Sequence, residues 1–302
     1  MLDSTNRDEA HSVLTQEQID QRVFDLYDEY CHGRLSRRDF IAGASAIAGG
    51  LAMAQALLPR YAQAQTISFT DPRLSARYVT YPSPGGNSGT MRGYLARPTG
   101  TGPFPSVLVI HENRGLNPYI EDVARRLAVE GFLALAPDGL APVGGYPGND
   151  DDGRTLQSGL DQAKLRTDML NSARWLKAHE LGNGKLAATG FCWGGGVVNA
   201  LAVALGGDLL AGAPFYGAAA PTEAIPAIRA ALVLHFAEND PNINRMWPGY
   251  EAGLKAAGVP HEGFVYPGTQ HGFHNNSTPR YNEAAAKLAW ERTVALFRRR
   301  LA

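Results

Sequence analysis

The chain has 302 residues, 44% of them apolar and 19% charged, an ordinary globular composition that is long enough to bury a sizeable core. Its 28 Lys and Arg against 29 Asp and Glu leave a net charge of −1, which argues against a nucleic-acid or polyanion binder. Two cysteines exclude a disulfide scaffold and a four-thiolate zinc site.

At the N-terminus, Ser36-Arg37-Arg38-Asp39-Phe40-Ile41 precedes a weakly apolar, small-residue stretch from Ile41 to Leu58, and Ala62-Gln63-Ala64 follows. Paired arginines, a modest apolar segment and a small-x-small ending are the order of a twin-arginine export signal. Gly43, Ser45, Gly49, Gly50 and Gln55 make the stretch poor as a membrane span. The expected division is a signal region over 1–64 and one domain over 65–302. The expected partners are the twin-arginine export machinery and signal peptidase, and the expected location is periplasmic or secreted. Cys31 would leave with the signal, and Cys192 would remain as the single thiol.

Two extended segments open the domain, Tyr78–Tyr81 and Met91–Ala96, with Pro82-Ser83-Pro84-Gly85-Gly86 as turn material between them. Short apolar runs follow at Ser106–Ile110, Phe132–Ala136, Leu186–Thr189, Ala211–Tyr216, Ala231–Phe236 and Gly263–Tyr266. Runs apolar on consecutive positions suit strands buried on both faces of a parallel sheet. Helical spacing separates them: after Asn117-Pro118 until Gly131, over Leu160–Leu176, Asn242–Ala257 and Pro279–Leu301. The pattern predicts an α/β fold, a doubly wound, mostly parallel sheet with helices on both faces. The segment from Pro142 to Gly153, with its acidic run, reads as a mobile, solvated rim loop.

Reactive groups in such sheets gather at the carboxyl ends of strands. After Leu186–Thr189 comes Gly190-Phe191-Cys192-Trp193-Gly194-Gly195-Gly196 and then a helical run, Val197–Leu205. This is a nucleophile elbow, G-x-S-x-G with Cys for Ser. Glycines flank the nucleophile because bulk there would collide with neighbouring backbone, and the helix N-terminus behind it favours negative charge. The alternative, a buried structural cysteine, does not explain the glycine pattern. The base and its orienting acid should come later in the chain. Ala237-Glu238-Asn239-Asp240-Pro241 follows one strand and Thr269-Gln270-His271-Gly272-Phe273-His274 another. Asp240 is preferred over Glu238, and His271 over His274, by placement just past the strand. His235 and His261 read as packing or hydrogen-bonding residues. A His271/His274 metal pair lacks further ligands, so neither metal nor cofactor is expected. Backbone N–H groups of Trp193 and of Asn113, in His111-Glu112-Asn113-Arg114-Gly115, are the candidate oxyanion hole. Glu112 also falls where its side chain can face the thiol.

These segments, together with Ala136-Pro137-Asp138 and His271-Gly272-Phe273, resemble the dienelactone hydrolase family from about Tyr78 to Leu301. The resemblance implies a Cys192, Asp240, His271 triad, an acyl-enzyme intermediate, and Glu112 contacting a neutral resting thiol and helping to activate it when substrate binds. It implies hydrolysis of a small-molecule carboxylic ester or lactone, as by a carboxymethylenebutenolidase. Two arginines that hold the dienelactone carboxylate in the family are replaced here by Pro142 and Asn275. Arg114, Arg154 or Arg245 could substitute, with Arg114 the preferred substrate-binding candidate. Thioester hydrolysis or acyl transfer would use the same groups. A non-catalytic binding protein on this fold is the alternative from another class.

Overall fold

The computed structural model describes residues 20, 22–23, 26, 35–48, 64–87 and 89–302. Most of the apolar stretch up to Leu58, Cys31, and Ala62-Gln63 of the expected cleavage site include positions outside the described residues. The chain divides into two compact units, Met1–Leu58 and Pro59–Ala302.

In the first unit, α1 (Arg37–Ala48) starts with the arginine pair in its first turn. Ser36 Oγ accepts from the Asp39 N–H at 3.2 Å and bonds the Asp39 carboxylate at 2.7 Å, so the helix start is capped by its own sequence. Phe40 and Ala44, one turn apart, bury one face with Val23. Among the described residues, no helix is long and apolar enough to cross a membrane.

The second unit is built on eight strands: β1 (Leu74–Ser83), β2 (Gly89–Pro98), β3 (Phe104–Ile110), β4 (Leu133–Pro137), β5 (Gly182–Phe191), β6 (Ala211–Phe215), β7 (Ala231–Asn239) and β8 (His261–Gln270). They form one sheet in the order β1-β2-β4-β3-β5-β6-β7-β8. The β1–β2 and β2–β4 pairs are antiparallel and every later pair is parallel. The helices of this unit are α2 (Pro118–Val129), α3 (Asp150–Ser158), α4 (Gln162–Lys177), α5 (Trp193–Leu205), α6 (Pro241–Asn244), α7 (Trp247–Ala256) and α8 (Glu283–Leu301).

The central strands are apolar on consecutive positions because both faces are covered. In β3, Val107 and Val109 enter one core while Leu108 and Ile110 enter the other, all fully buried. In β4, Ala134 and Ala136 face the first core and Leu133 and Leu135 the second. Alternation along a strand thus divides one apolar run between two layers. The first layer is closed by Ile120, Val123 and Leu127 of α2 and by Phe297 and Leu301 of α8. The second is closed by Leu165, Met169 and Leu176 of α4, Leu201 and Leu205 of α5, and Leu254 of α7. Each such fully buried side chain contributes roughly 1.5–3 kcal/mol of burial.

Helix limits follow local chemistry. Asn117 caps α2 by accepting from the Ile120 N–H, with Pro118 at its first position, and Gly131 turns the chain out at φ 101°. Three expectations change. The acidic run is no rim loop: Ala141–Val143 is a 3-10 turn and Asp150–Asp152 form the first turn of α3, capped by Asn149. Carboxylates there complement the helix dipole, which explains the helix despite the glycine-rich approach. The helix expected over Asn242–Ala257 is two, because Pro248 in the first turn of α7 cannot continue the α6 ladder. The last helix begins at Glu283 rather than Pro279, since Asn282 provides its cap.

Fully buried His235 of β7 lies between Tyr266 (Nδ1 to Oη, 2.8 Å) and Thr293 (Nε2 to Oγ1, 2.9 Å). Thr293 donates its own proton to Ala289 O, so it accepts from His235 Nε2–H, and the ring is a neutral, fully bonded spacer. Burial, helped by nearby Arg292, lowers its pKa to about 3. His111 and His274 are also pushed down by burial. The unfolded chain binds these protons from about pH 6.5 downward while the native state refuses them. Their contribution is complete above pH 6.5 and is lost as pH falls through the depressed native pKa values, that of His235 near pH 3, at roughly 1.4 kcal/mol per pH unit for that residue. Urea melts at pH 7, 6 and 5 should therefore show stability falling steeply with acid. His271, whose pKa is raised, opposes this trend, and a flat profile would show that the native state binds as many protons as the unfolded chain over this range.

Candidate active site

Cys192 sits between β5 and α5 with φ 56° and ψ −115°, one of two non-glycine residues at positive φ among the described residues. Such a conformation persists only where surrounding contacts over-determine it. Here the Cys192 N–H is tied to Phe215 O at 3.0 Å and the Cys192 carbonyl to the Gly196 N–H at 3.2 Å. A Cβ on Gly190 would lie 2.4 Å from Gly194 O, one on Gly194 2.4 Å from Ile110 O and 2.5 Å from His111 O, and one on Gly195 2.5 Å from Phe215 O. All are backbone atoms, which cannot swing away, so the elbow closes only with glycine at these positions.

That close approach presses the elbow against the end of β3. The rings of Trp193 and His111 stack at 5.4 Å with 16° between planes. His111 is locked: Gly139 N–H donates to its Nε2 at 3.1 Å, leaving Nδ1–H to donate to Glu112 O at 2.6 Å. The loop carrying Asn113 is thereby held next to the helix start that carries the Trp193 N–H.

Asp240 and His271 come from the ends of β7 and β8. His271 Nδ1 and Asp240 Oδ2 lie 2.6 Å apart with both side chains buried. The other carboxylate oxygen of Asp240 accepts from the Ile243 N–H at 3.3 Å and caps α6. Glu238, the alternative acid, instead accepts from the Gly268 N–H at 2.7 Å. His274, the alternative base, binds Tyr119 Oη through Nδ1 at 2.6 Å. Burial by itself would drive the proton from His271, but the charges and hydrogen bonds of Cys192 and Asp240 outweigh it and hold the imidazole well above its usual pKa. The arrangement therefore favours a protonated imidazole at His271, set between Asp240 and Cys192.

Glu112 is fully buried, with Oε2 accepting from Asn275 Nδ2 at 3.1 Å and 3.7 Å from Arg114 Nε. Its Oε1 has no hydrogen-bond partner among the described residues. Arg114 is buried, and its guanidinium also pairs with Asp150 at 2.8 Å, so its charge is shared between two carboxylates. Asn275, one of the two expected arginine replacements, thus donates to Glu112. Pro142 lies in the 3-10 turn, Arg154 pairs with Asp151 at 3.2 Å, and Arg245 is exposed just after α6.

Two residues of the site escape a reading by motif. Tyr216 follows β6 at φ 37°, fully buried, its ring 4.9 Å from His271 and its hydroxyl without a hydrogen-bond partner among the described residues. Burial first, then the charges of Tyr119, Glu112 and Cys192, hold its proton on against the opposing effect of Arg280, so it can serve as a donor. Arg280 is buried against Gly272, whose missing side chain leaves room for the guanidinium: a Cβ there would lie 2.9 Å from Nη2. The position of Tyr216 directly after a strand end is the signal that could have found it. Arg280 lies nine positions beyond His271 and gives no local signal.

A family model described as the dienelactone hydrolase family matches residues 91–301, and one described as YqhI-like matches residues 11–49. The Escherichia coli (strain K12) protein named "Putative hydrolase fragment YghX" is 61% identical over 112 residues, 37% of this chain and 95% of that protein. A second protein of the same strain, named "Putative carboxymethylenebutenolidase", is 32% identical over 244 residues, 76% of this chain and 88% of its own. The crystal structure of a dienelactone hydrolase-like promiscuous phosphotriesterase from metagenomic libraries superposes with a TM-score of 0.65 at 25% identity. It covers 76% of this chain and 100% of that one.

Proposed function

Because the chain belongs to the dienelactone hydrolase family, we propose that this hydrolase cleaves a carboxylic ester or lactone through a Cys192, His271, Asp240 triad and an acyl-enzyme intermediate. The observation that carries the reading is the 2.6 Å Asp240–His271 contact, with Cys192 on a strained elbow beside that imidazole. Cys192 Sγ attacks the substrate carbonyl carbon, and the Trp193 and Asn113 N–H groups hold the oxygen that becomes negative. His271 passes its proton to the departing alkoxide, leaving a thioester on Cys192. It then takes a proton from water, hydroxide adds to the thioester, and the acid leaves as the thiolate is regenerated. Asp240 holds the ring in orientation and stabilises its charge.

The test is a panel of small esters, lactones and thioesters, with and without a carboxylate, supplied with a competing alcohol. The expected result is hydrolysis of uncharged esters or lactones, with free acid as product. An ester product from the added alcohol would reassign the enzyme to acyl transfer, and no turnover of any acyl substrate would overturn the reading.

The arginine pair at the start of α1 supports a further proposal. Residues 1–64 direct export by the twin-arginine route, and the domain over 65–302 acts in the periplasm or outside the cell. Replacing Arg37 and Arg38 together by Lys should retain the protein in the cytoplasm on cell fractionation. Unchanged export would refute this.

A further inference from the structure

On the side of the sheet covered by α2 and α8 lies a cavity of about 250 Å³. Its apolar lining includes Ile67, Val129 and Trp290. Its inner polar group is His274, which is 2% exposed. Tyr119 keeps its proton, because burial holds its pKa well above 10. Donating that proton to His274 Nδ1 is the one arrangement that satisfies both groups. The neutral ring then carries its hydrogen on Nε2, the remaining nitrogen available to a ligand. Neutrality agrees with burial, which lowers the His274 pKa, with Arg126 adding to the effect.

The charges around the cavity are partly spent. Arg126 pairs with Asp122 at 2.6 Å and Glu130 with Arg298 at 2.6 Å. Exposed Lys287 adds a positive charge to the lining. An apolar chamber with an aromatic wall, a buried neutral N–H donor and a cation in the lining has the chemistry of a site for a small carboxylate on a flat apolar body. The volume falls just below the range of roughly 300–1,000 Å³ typical of pockets for drug-sized ligands, so one ring is the matching size.

We propose that this cavity is a second binding site, separate from the nucleophile, for a monocyclic aromatic carboxylate. The carboxylate accepts from His274 Nε2–H and faces Lys287, and the ring lies against Trp290. The site communicates with the elbow by packing. His274 stacks on Phe191 at 5.2 Å with 27° between planes, and Phe191 immediately precedes Cys192.

Benzoate is the probe, titrated into the full-length chain and followed by saturation-transfer NMR and tryptophan fluorescence. Saturable binding is expected, at least tenfold tighter than that of neutral benzyl alcohol. It should weaken at least tenfold in Lys287→Glu, a substitution at an exposed position that leaves the core intact, and survive Cys192→Ala unchanged. Trp290→Leu should remove the fluorescence response. The proposal is overturned if benzoate does not saturate up to tens of millimolar. It is also overturned if Lys287→Glu binds benzoate as the wild type does, or if alkylating Cys192 abolishes binding, which would place benzoate in the catalytic site. Ester hydrolysis is measured separately, so failure here leaves the catalytic reading standing, and the reverse.

Discussion

Cys192→Ala should reduce hydrolysis of a good ester substrate by on the order of 10⁶-fold, the scale seen when the nucleophile of a triad is removed. The loss is chemical rather than structural. Alanine keeps the Cβ, and the backbone bonds that fix φ 56° do not involve the side chain: the Cys192 N–H to Phe215 O and the Gly196 N–H to Cys192 O. The thermal melt should accordingly stay within a few degrees of the wild type. Residual catalysis over water would come from the oxyanion N–H groups and from binding. Cys192→Ser should retain a trace of activity, because a hydroxyl gives up its proton less readily than a thiol to the same imidazole. An alanine variant with a large fraction of wild-type turnover would sink the covalent mechanism.

Asp240→Asn should lower kcat by about 10⁴-fold with the protein still folded. Asparagine caps a helix as well as aspartate does, so the bond from Ile243 N–H to the side chain at the start of α6 is kept. What disappears is the negative charge 2.6 Å from His271 Nδ1. That charge is one of the causes raising the His271 pKa against the pull of burial. Without it the imidazolium gives up its proton at lower pH. The alkaline limb of the kcat profile, where the imidazolium is lost, should move to lower pH. A purely structural aspartate would change the melting temperature and leave that limb in place. Asp240→Ala, which also removes the cap, should cost roughly a further 1 kcal/mol of stability, separating the two roles of one side chain.

The fold was legible because its signals are local. Six consecutive-apolar segments announced strands, and each lies within or overlaps one of the strands β3 to β8, although β8, at the sheet edge, is not buried on both faces: Val265 is 50% exposed. Their lengths were less visible. Polar strand ends such as Gly182 and His261–Glu262 pair through the backbone, which asks nothing of side-chain hydropathy. The acidic segment was misread because three aspartates look solvated in sequence, whereas Asn149 and the helix dipole make them a helix start.

For the site, neighbouring residues were enough to name the candidates and the reason for the glycines. A cysteine flanked by glycine between a strand and a helix is a requirement of backbone packing, and such a requirement is written in adjacent residues. Tertiary structure alone decided which groups meet. Glu238 and Asp240 are two positions apart, yet only Asp240 is recorded on His271, while Glu238 bonds the Gly268 backbone. Glu112 is shared by Asn275 and Arg114, and Arg114 is drawn to Asp150, a helix away. Tyr216 and Arg280 join the site from separate elements. Side-chain pairing depends on distances among strand ends far apart in the chain, and residue spacing along one strand carries no record of them.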